Sequence, residues 1–235
     1  MSGASRAATA ATVLAGIAAS HSPAVVASSF GAEDMVLIDL IATRALLIGV
    51  FTLDTGRLPE ETHALIAQVG RHYGLQVDVF APAAAEVEAH VAAHGTNGFY
   101  DSLDVRAACC AVRKTAPLAR ALDGRSAWIT GLRRAQSITR RAIAIEEDDA
   151  VHGLRKFNPL ADWSRDDVWA YLREHRVPVN ALHARGYASI GCAPCTRAIE
   201  AGEDERAGRW WWENADHKEC GLHRRPVGVP VVAAA

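Results

Sequence analysis

The sequence contains no long hydrophobic run, no excess of charge of either sign and no even set of cysteines. Its 235 residues include 25 basic and 27 acidic side chains, which gives a formal net charge of −2. A net charge this small supplies no overall field for nucleic acid or a membrane surface, so we expect neither as a partner. No stretch reaches the roughly 18 apolar residues that a membrane-spanning helix needs, so we expect no membrane span.

The odd number of cysteines argues against a further class of protein. The chain has 5 cysteines, whereas the disulfide framework of a secreted domain usually has an even number in a shorter chain. The count favours a reducing, cytoplasmic compartment, in which thiols serve chemistry or metal binding. The first 20 residues resemble a secretory leader only weakly, because their apolar part is rich in alanine and is interrupted by Gly16. We expect a surface helix there.

Strand and helix patterns alternate along most of the chain. The predicted strands are 24–30, 46–53, 75–80 and 126–132, and the predicted helices are 32–45, 59–74, 83–95 and 164–175. This alternation predicts an α/β fold with a mostly parallel sheet that is covered on both faces. After about residue 180 the apolar rhythm fades, which predicts a loop-rich C-terminal region. We divide the chain into an α/β domain (1–204) and a C-terminal segment (205–235).

Three turns follow predicted strands and are expected to line one cleft, because ligands bind at the carboxyl ends of parallel strands. They are SSFGAED (28–34), LDTGR (53–57) and GLRRAQS (131–137). Ser28 and Ser29 precede a helix whose N-terminal N–H groups suit a phosphate. A plain turn with a serine cap explains them equally well. The turn lacks the Gly-Lys-Ser/Thr ending of a Walker A loop.

The second and third turns carry further candidate ligands for a nucleotide. Asp54 stands at a strand end, where its carboxylate could accept from ribose hydroxyls; the more frequent role of such an aspartate is to cap the turn. The stretch 131–141 has four arginines and no acid. Guanidinium groups suit sulfate and phosphate oxygens, which makes Arg134 a candidate. A solvated basic face would explain the same stretch.

Four of the cysteines form two pairs, Cys109-Cys110 and Cys192-x-x-Cys195. Four thiolates can close a tetrahedral site for zinc or for an iron–sulfur cluster. Structural zinc ligands are usually separated by two to four residues, whereas adjacent cysteines can reach two irons of a cubane cluster. The pattern therefore favours a four-iron cluster over zinc. A redox-active Cys-x-x-Cys pair remains a third interpretation, although it leaves Cys109 and Cys110 unexplained.

Cations accompany the cysteines. Lys114 follows Cys110 by four residues and so shares its helical face. From there it could bridge a thiolate-rich centre to an anionic substrate. An exposed helix lysine would fit the same spacing. Arg206 and Arg209 lie on one side of a turn beside three tryptophans. Cys220 is flanked by His217, Lys218, His223 and Arg224, and such cations lower the pKa of a thiol and make it nucleophilic.

Several motifs together resemble one family. They are CCAVRK (109–114), GCAPCTR (191–197), ERAGRWWWE (205–213) and HKECGLH (217–223), with SFGAED (29–34), LDTGR and KFNPL (156–160). In this order, from about residue 25 to 223, they resemble the assimilatory adenylyl-sulfate reductases, the iron–sulfur branch of the APS/PAPS reductase family. The resemblance implies a Rossmann-like fold of the adenine-nucleotide alpha-hydrolase (PP-loop) type, and reduction of adenylyl sulfate (APS) to sulfite and AMP with thioredoxin as electron donor.

The resemblance also implies roles for single residues. Cys109, Cys110, Cys192 and Cys195 match the ligands of a [4Fe-4S] cluster, and Cys220 matches the nucleophile. Lys114, Arg206 and Arg209 match positions that hold the phosphosulfate, and His223 belongs to the motif of Cys220. The first turn lacks the Ser-Gly-Gly-x-Asp-Ser pattern of the ATP-using relatives, which disfavours adenylation chemistry and a tRNA-sulfurating enzyme.

The expected reaction proceeds through an S-sulfo-cysteine at Cys220, with the cluster acting through Lys114 and keeping one oxidation state. Reduction of the 3′-phosphorylated nucleotide (PAPS) is the main rival hypothesis, because relatives with both cysteine pairs mostly, but not always, use APS. A zinc-containing interaction module and a cluster-based redox sensor are rival hypotheses from different functional classes. The sequence leaves a homo-oligomeric assembly open.

Overall fold

A computed structural model describes residues 3–214 and Leu222. The helices are α1 (Gly3–Ser20), α2 (Ala32–Thr43), α3 (Glu60–Tyr73), α4 (Ala84–His94), α5 (Leu103–Cys110), α6 (Ala116–Leu122) and α7 (Arg165–Glu174). The strands are β1 (Ala24–Ala27), β2 (Ile48–Leu53), β3 (Val77–Phe80), β4 (Ala127–Ile129), β5 (Glu146–Asp149) and β6 (Leu154–Phe157). A π-helical turn, Ala111–Thr115, joins α5 to α6.

The six strands form one sheet in the order β3-β2-β1-β4-β6-β5. β1 pairs in parallel with β2 and β4, and β5 alone is antiparallel to its neighbour β6. Successive strands are added on one side of β1 up to β3 and then on its other side from β4 onward. At such a switch in strand order, the carboxyl ends of the two central strands open a crevice. The expected α/β fold with a mostly parallel sheet is confirmed.

The largest part of the core lies between the sheet and α2. This helix buries residues on nearly every side, including Val36, Leu37 and Leu40, because α1, α3 and α7 pack around it. Buried Asp39 accepts hydrogen bonds from the hydroxyls of Tyr73 (2.8 Å) and Tyr171 (2.6 Å). These bonds satisfy the buried carboxylate and join α2 to α3 and α7.

The sequence-based boundaries need several corrections. The predicted strands 24–30 and 126–132 end at Ala27 and Ile129, because the chain turns into the cleft after each of them. β5 and β6 were not predicted, since β5 consists of four acidic residues and carries no apolar pattern. The N-terminal helix and the loop-rich C-terminal region are both present. Among the described residues, no helix is long and apolar enough to cross a membrane.

Candidate functional site

A cleft opens where the three predicted turns meet, as expected. It is lined by parts of each turn and by residues 183–192 and 205–210, and it holds about 1330 Å³ including the solvent at its mouth. Ligands of open α/β sheets bind in crevices of this kind, at the carboxyl ends of the strands. A Cβ on Gly131 would lie 2.8 Å from the Cβ of Glu33. Glycine at this position therefore allows the end of β4 to approach the start of α2.

The first turn is organised by Asp34. The backbone N–H and the hydroxyl of Ser29 both donate to Asp34 Oδ2, at 2.6 and 2.9 Å, and the N–H of Phe30 donates to Ser28 Oγ. Burial raises the pKa of Asp34 to about 6, although the Ser29 hydrogen bonds oppose the rise. Ser28 and Ser29 both line the cleft, so the structure places them where substrate binding was predicted.

Asp54 and Arg134 lie outside the cleft lining. Asp54 accepts from the N–H of Gly56 and pairs with His63, which is the turn-capping role. Arg134 donates to the carbonyl of Ile143 and pairs with Asp162 at the surface. The structure therefore does not bring either residue to the predicted substrate.

One other residue from each of these two sequence stretches lines the cleft instead. Thr55 and Arg140 both line the cleft. Arg140 is buried and donates to Gln136 Oε1 at 2.6 Å. The arginine-rich stretch gave the signal for Arg140, but the sequence alone did not show which of its four arginines lines the cleft.

Lys114, Arg206 and Arg209 form a cationic wall on one side of the cleft, as the sequence predicted. Arg209 Nη1 donates to the carbonyl of Ile190 at 2.9 Å. A Cβ on Gly191 would overlap the guanidinium of Arg209, so glycine at this position gives the guanidinium its space. Three like charges beside one cavity repel one another, and an anionic ligand relieves that repulsion.

The ring of Trp210 underlies this cationic wall. The charged groups of Arg209 and Arg106 lie 4.6 and 4.9 Å from the ring centroid, and those of Lys114 and Arg206 lie at 6.0 Å. Cations are attracted to the face of an indole within about 6 Å. Trp210 is 1% exposed and has a positive φ of 42°. The sequence predicted aromatic anchoring here, but not a shared platform for four cations.

Two buried ion pairs hold the segment 205–214 against the body of the protein. Arg106, itself 2% exposed, pairs with Glu213 through two contacts of 2.8 Å. Arg133 is fully buried and contacts both Glu33 (2.8 Å) and Glu205 (2.7 Å). Buried charges are costly unless they are paired. These contacts therefore hold the chain on both sides of Arg206 and Arg209 in place.

All four paired cysteines line one small cavity next to the cleft. Cys109 and Cys110 come from the end of α5, and Cys192 and Cys195 from a short turn. Across residues 3–214 and 222, no group of three or more His, Cys, Asp or Glu side chains converges closely enough to hold one metal ion. The sulfurs thus surround a common space without meeting at one point.

The thiols in this cavity differ in acidity. Burial, reinforced by the charge of Cys192, raises the pKa of Cys195 to about 12. Burial also raises the pKa of Cys109, against the pull of Arg113. For Cys192 burial is outweighed by Lys114 and by the hydroxyl of Thr55, whose Oγ1 lies 3.2 Å from the sulfur, so its pKa is lowered.

Lys114, Cys192 and Trp210 line both the cleft and the cysteine cavity. Lys114 belongs to the π-helical turn that follows Cys110, and π-turns are frequent at functional sites because they locally widen a helix. Lys114 therefore lies on the boundary between the two cavities; its role as a bridge between a thiolate-rich centre and an anionic substrate stays a prediction. One ammonium group faces both compartments.

Cys220 and His223 lie outside the described residues. Leu222, two positions after Cys220, is described, and it lines the cleft and packs against the apolar cluster that contains Leu118 and Trp128. Leu222 is thus the described residue of this motif that reaches the cleft.

Comparison with known proteins gives one consistent family. A family model described as phosphoadenosine phosphosulfate reductase domain matches residues 23–198. The adenosine 5′-phosphosulfate reductase of Allochromatium vinosum is 60% identical over 86% of this chain and 78% of its own. That of Burkholderia cepacia is 52% identical over 95% of this chain and 89% of its own.

Solved structures agree on the fold. The chain superposes on a phosphoadenylyl-sulfate (PAPS) reductase from Candida auris with a TM-score of 0.70 at 26% identity, covering 81% of this chain and 90% of that one. Yeast FAD synthetase shares the fold alone. It is 13% identical with a TM-score of 0.59, covering 83% of this chain and 67% of that one.

Proposed function

The chain belongs to the phosphoadenosine phosphosulfate reductase family, and from that premise we propose that it reduces adenylyl sulfate to sulfite and AMP. Relatives that bear the name adenosine 5′-phosphosulfate reductase are 52–60% identical to it over 86–95% of its length. The observation that carries the proposal is the cleft itself. A wall of three cations, Lys114, Arg206 and Arg209, faces a cleft that Leu222, two positions after Cys220, also lines.

The chemistry assigned to Cys220 is a two-step transfer. Its thiolate attacks the sulfur of the sulfate group, the bond from that sulfur to the bridging oxygen breaks, and AMP leaves with the electron pair. A thiol of thioredoxin, the proposed electron donor, then attacks the Cys220 sulfur, and sulfite leaves with the electrons of the S–S bond. The two thiols end as a mixed disulfide, which a second thioredoxin thiol resolves.

The cationic wall has a defined part in this sequence. Lys114, Arg206 and Arg209 bind the phosphosulfate, and they offset the negative charge that develops on the bridging oxygen as AMP leaves. Arg209 is already oriented by the carbonyl of Ile190. Leu222, two positions after Cys220, lines the same cleft.

The four paired cysteines fit an iron–sulfur cluster better than a zinc ion. They line one cavity, and Cys109 and Cys110 are adjacent in the chain, whereas structural zinc ligands are usually separated by two to four residues. Cys109, Cys110, Cys192 and Cys195 would hold a [4Fe-4S] cluster there. A bound cluster would supply a compact anionic charge next to Lys114. The Thr55 hydroxyl beside Cys192 would stabilise that charge.

The decisive experiment compares two substrates and one variant. The purified protein, with thioredoxin and its reductant, is expected to release sulfite from adenylyl sulfate faster than from the 3′-phosphorylated nucleotide. Without thioredoxin, mass spectrometry is expected to find one SO₃ group on Cys220, and Cys220→Ser should lose both the adduct and turnover. Faster turnover of the 3′-phosphorylated nucleotide would establish that nucleotide as the substrate. Sulfite release by Cys220→Ser would end the assignment.

Metal analysis tests the cofactor separately. A brown protein with iron and acid-labile sulfide in about a four-to-four ratio supports the cluster. A colourless protein that contains zinc would instead favour the interaction module. If Cys220→Ser retains the iron and sulfide of the unaltered protein, its loss of turnover reflects the nucleophile and not the cofactor.

A further inference from the structure

Asn158 is a fully buried asparagine that the proposed chemistry does not use. It directly follows β6 in the motif KFNPL and is 0% exposed. It is not among the residues that line the cleft, so it lies behind the surface that a ligand would touch. Burying an amide side chain costs free energy unless its donors and acceptors are paired. The pairing of Asn158 therefore shows what this residue holds in place.

Asn158 is bonded to both ends of the segment between β4 and β5, which we call the β4–β5 loop (130–145). At the far end, its backbone N–H donates to the carbonyl of Ile145 (2.7 Å) and its Nδ2 donates to the carbonyl of Ala144 (2.8 Å). At the near end, its Oδ1 accepts from the hydroxyl of Thr130 (2.5 Å). Because a carbonyl oxygen only accepts, Nδ2 must face Ala144, which leaves Oδ1 to face Thr130.

The backbone of Asn158 makes a further connection to the same loop. Its carbonyl accepts from the N–H of Ala161 at 3.0 Å, and the carbonyl of Ala161 accepts from the N–H of Arg134 at 2.9 Å. Arg134 also donates its Nε to the carbonyl of Ile143 at 2.8 Å. The loop is thus held near both of its ends, and the stretch 135–142 lies between them.

The β4–β5 loop carries two side chains that line the cleft, Gln136 and Arg140. Arg140 is 8% exposed and donates to Gln136 Oε1 at 2.6 Å. The carbonyl of Arg140 accepts from the N–H of Ile143 at 3.1 Å, directly before the two residues that Asn158 holds. Ordering a long arginine side chain costs conformational entropy, so its place in the cleft depends on where its backbone is held. The bonds of Asn158 supply that restraint.

We infer that Asn158 is a positioning residue, which keeps Arg140 in the cleft by holding both ends of the β4–β5 loop. The inference rests on the proposed function, because it takes the cleft as the site of an anionic nucleotide. Without the side-chain bonds of Asn158, the loop adopts several arrangements, and only one of them places the guanidinium in the cleft. The apparent affinity for the ligand then falls in proportion to the competent fraction. A saturating ligand selects that arrangement again, so the maximal rate is largely kept.

The test is a double-mutant cycle of Asn158 with Arg140, measured as binding without turnover. Adenylyl sulfate is titrated by calorimetry into protein that carries Cys220→Ser. We expect Arg140→Ala and Asn158→Ala each to raise the Kd by about tenfold or more. In the Arg140→Ala background, Asn158→Ala should change the Kd by less than about twofold, because the group that it positions is gone. With Cys220 intact, Asn158→Ala should raise KM by about tenfold and change kcat by less than about threefold.

A merely structural role of Asn158 predicts a different pattern. Asn158→Ala would then weaken binding equally with and without the Arg140 side chain, and that result overturns the inference. An unchanged Kd in either single variant overturns it too. Tyr171→Phe is the control for a general loss of stability, since its hydroxyl bonds Asp39 outside the cleft lining. It should keep the Kd of the parent protein.

A second variant covers the case in which Asn158→Ala does not fold. Asn158→Asp keeps the size of the side chain and an acceptor for Thr130. It replaces the Nδ2 donor by an oxygen, which then faces the carbonyl of Ala144 and Glu147 Oε1. It should show the same coupling to Arg140.

The outcomes separate this inference from the proposed function. Failure of the unaltered protein to release sulfite from adenylyl sulfate refutes the proposed function, whereas absence of coupling refutes only the role of Asn158. A protein that does not bind adenylyl sulfate at all refutes both.

Discussion

Gly191→Ala is expected to weaken substrate binding while sparing the fold. The added methyl group would overlap the guanidinium of Arg209, which must then leave its hydrogen bond to the carbonyl of Ile190. The obstructing atoms belong to the end of a flexible side chain, so the backbone stays in place. Losing this hydrogen bond from a charged group costs about 1.5–3 kcal/mol of folding free energy, which lowers the melting temperature by roughly 3–12 °C in a chain of this size.

Gly191→Ala is also expected to weaken binding. A hydrogen bond to a charged partner contributes about 1.5–3 kcal/mol, so displacing Arg209 raises the KM for adenylyl sulfate and the Kd for AMP by about 10- to 150-fold. Steady-state kinetics and calorimetry measure these constants. Gly16→Ala is the control, because a Cβ on Gly16 meets no heavy atom within 4 Å. It should leave binding unchanged.

A double-mutant cycle shows whether Arg209 transmits the effect. In an Arg209→Ala background, Gly191→Ala should cause no further loss of affinity, since the displaced group is already gone. Full affinity in the single variant would refute the reasoning, as would an equal loss of affinity in both backgrounds. Gly208→Ala provides a contrast, because its Cβ would overlap the backbone carbonyl of Arg197, which cannot swing away. That variant should be destabilised by more than about 2 kcal/mol.

Three further predictions concern charge and stability. The folded-state pKa of Asp34 is raised from 3.8 to about 6. The stability that its protonated form contributes is therefore greatest below pH 4 and is lost as the pH rises through 6. In urea titrations, Asp34→Asn should stabilise the protein at pH 8, by about 3 kcal/mol at most, and have little effect at pH 3.5. Glu213→Ala leaves buried Arg106 without its carboxylate partner and should cost about 3–5 kcal/mol in chemical denaturation, whereas replacing both residues by methionine should cost less. Tyr171→Phe removes a 2.6 Å hydrogen bond to Asp39 and should lower the free energy of unfolding by about 1 kcal/mol; an unchanged free energy would show that this bond does not stabilise the fold.

The sequence predicts the central sheet well and its outer edge poorly. The strands near the centre are continuous apolar runs, because helices cover them on both faces. β5 is an edge strand made of acids that pair with Arg155 and Lys156 on β6. Its identity depends on these cross-strand partners and not on a periodic pattern, so no local signal marks it as a strand.

The same distinction applies to the site. Lys114, Arg206, Arg209 and the paired cysteines could be predicted, because each belongs to a dense motif. Thr55, whose hydroxyl contacts Cys192 from 137 positions away, could not. Arg133 belongs to a stretch that a sequence argument treats as a solvated basic face, yet it is 0% exposed. The fold decides which charges of a run turn inward, and no spacing rule contains that information.

Lys114, on the boundary between the cleft and the cysteine cavity, imposes a thermodynamic link between them. Negative charge added on either side draws on the same ammonium group, so occupancy of one compartment weakens anion binding in the other. Linkage makes that influence reciprocal: the factor by which a filled cavity lowers nucleotide affinity equals the factor by which nucleotide lowers affinity in the cavity. An anionic group bound in the cysteine cavity would therefore ease the release of an anionic product from the cleft.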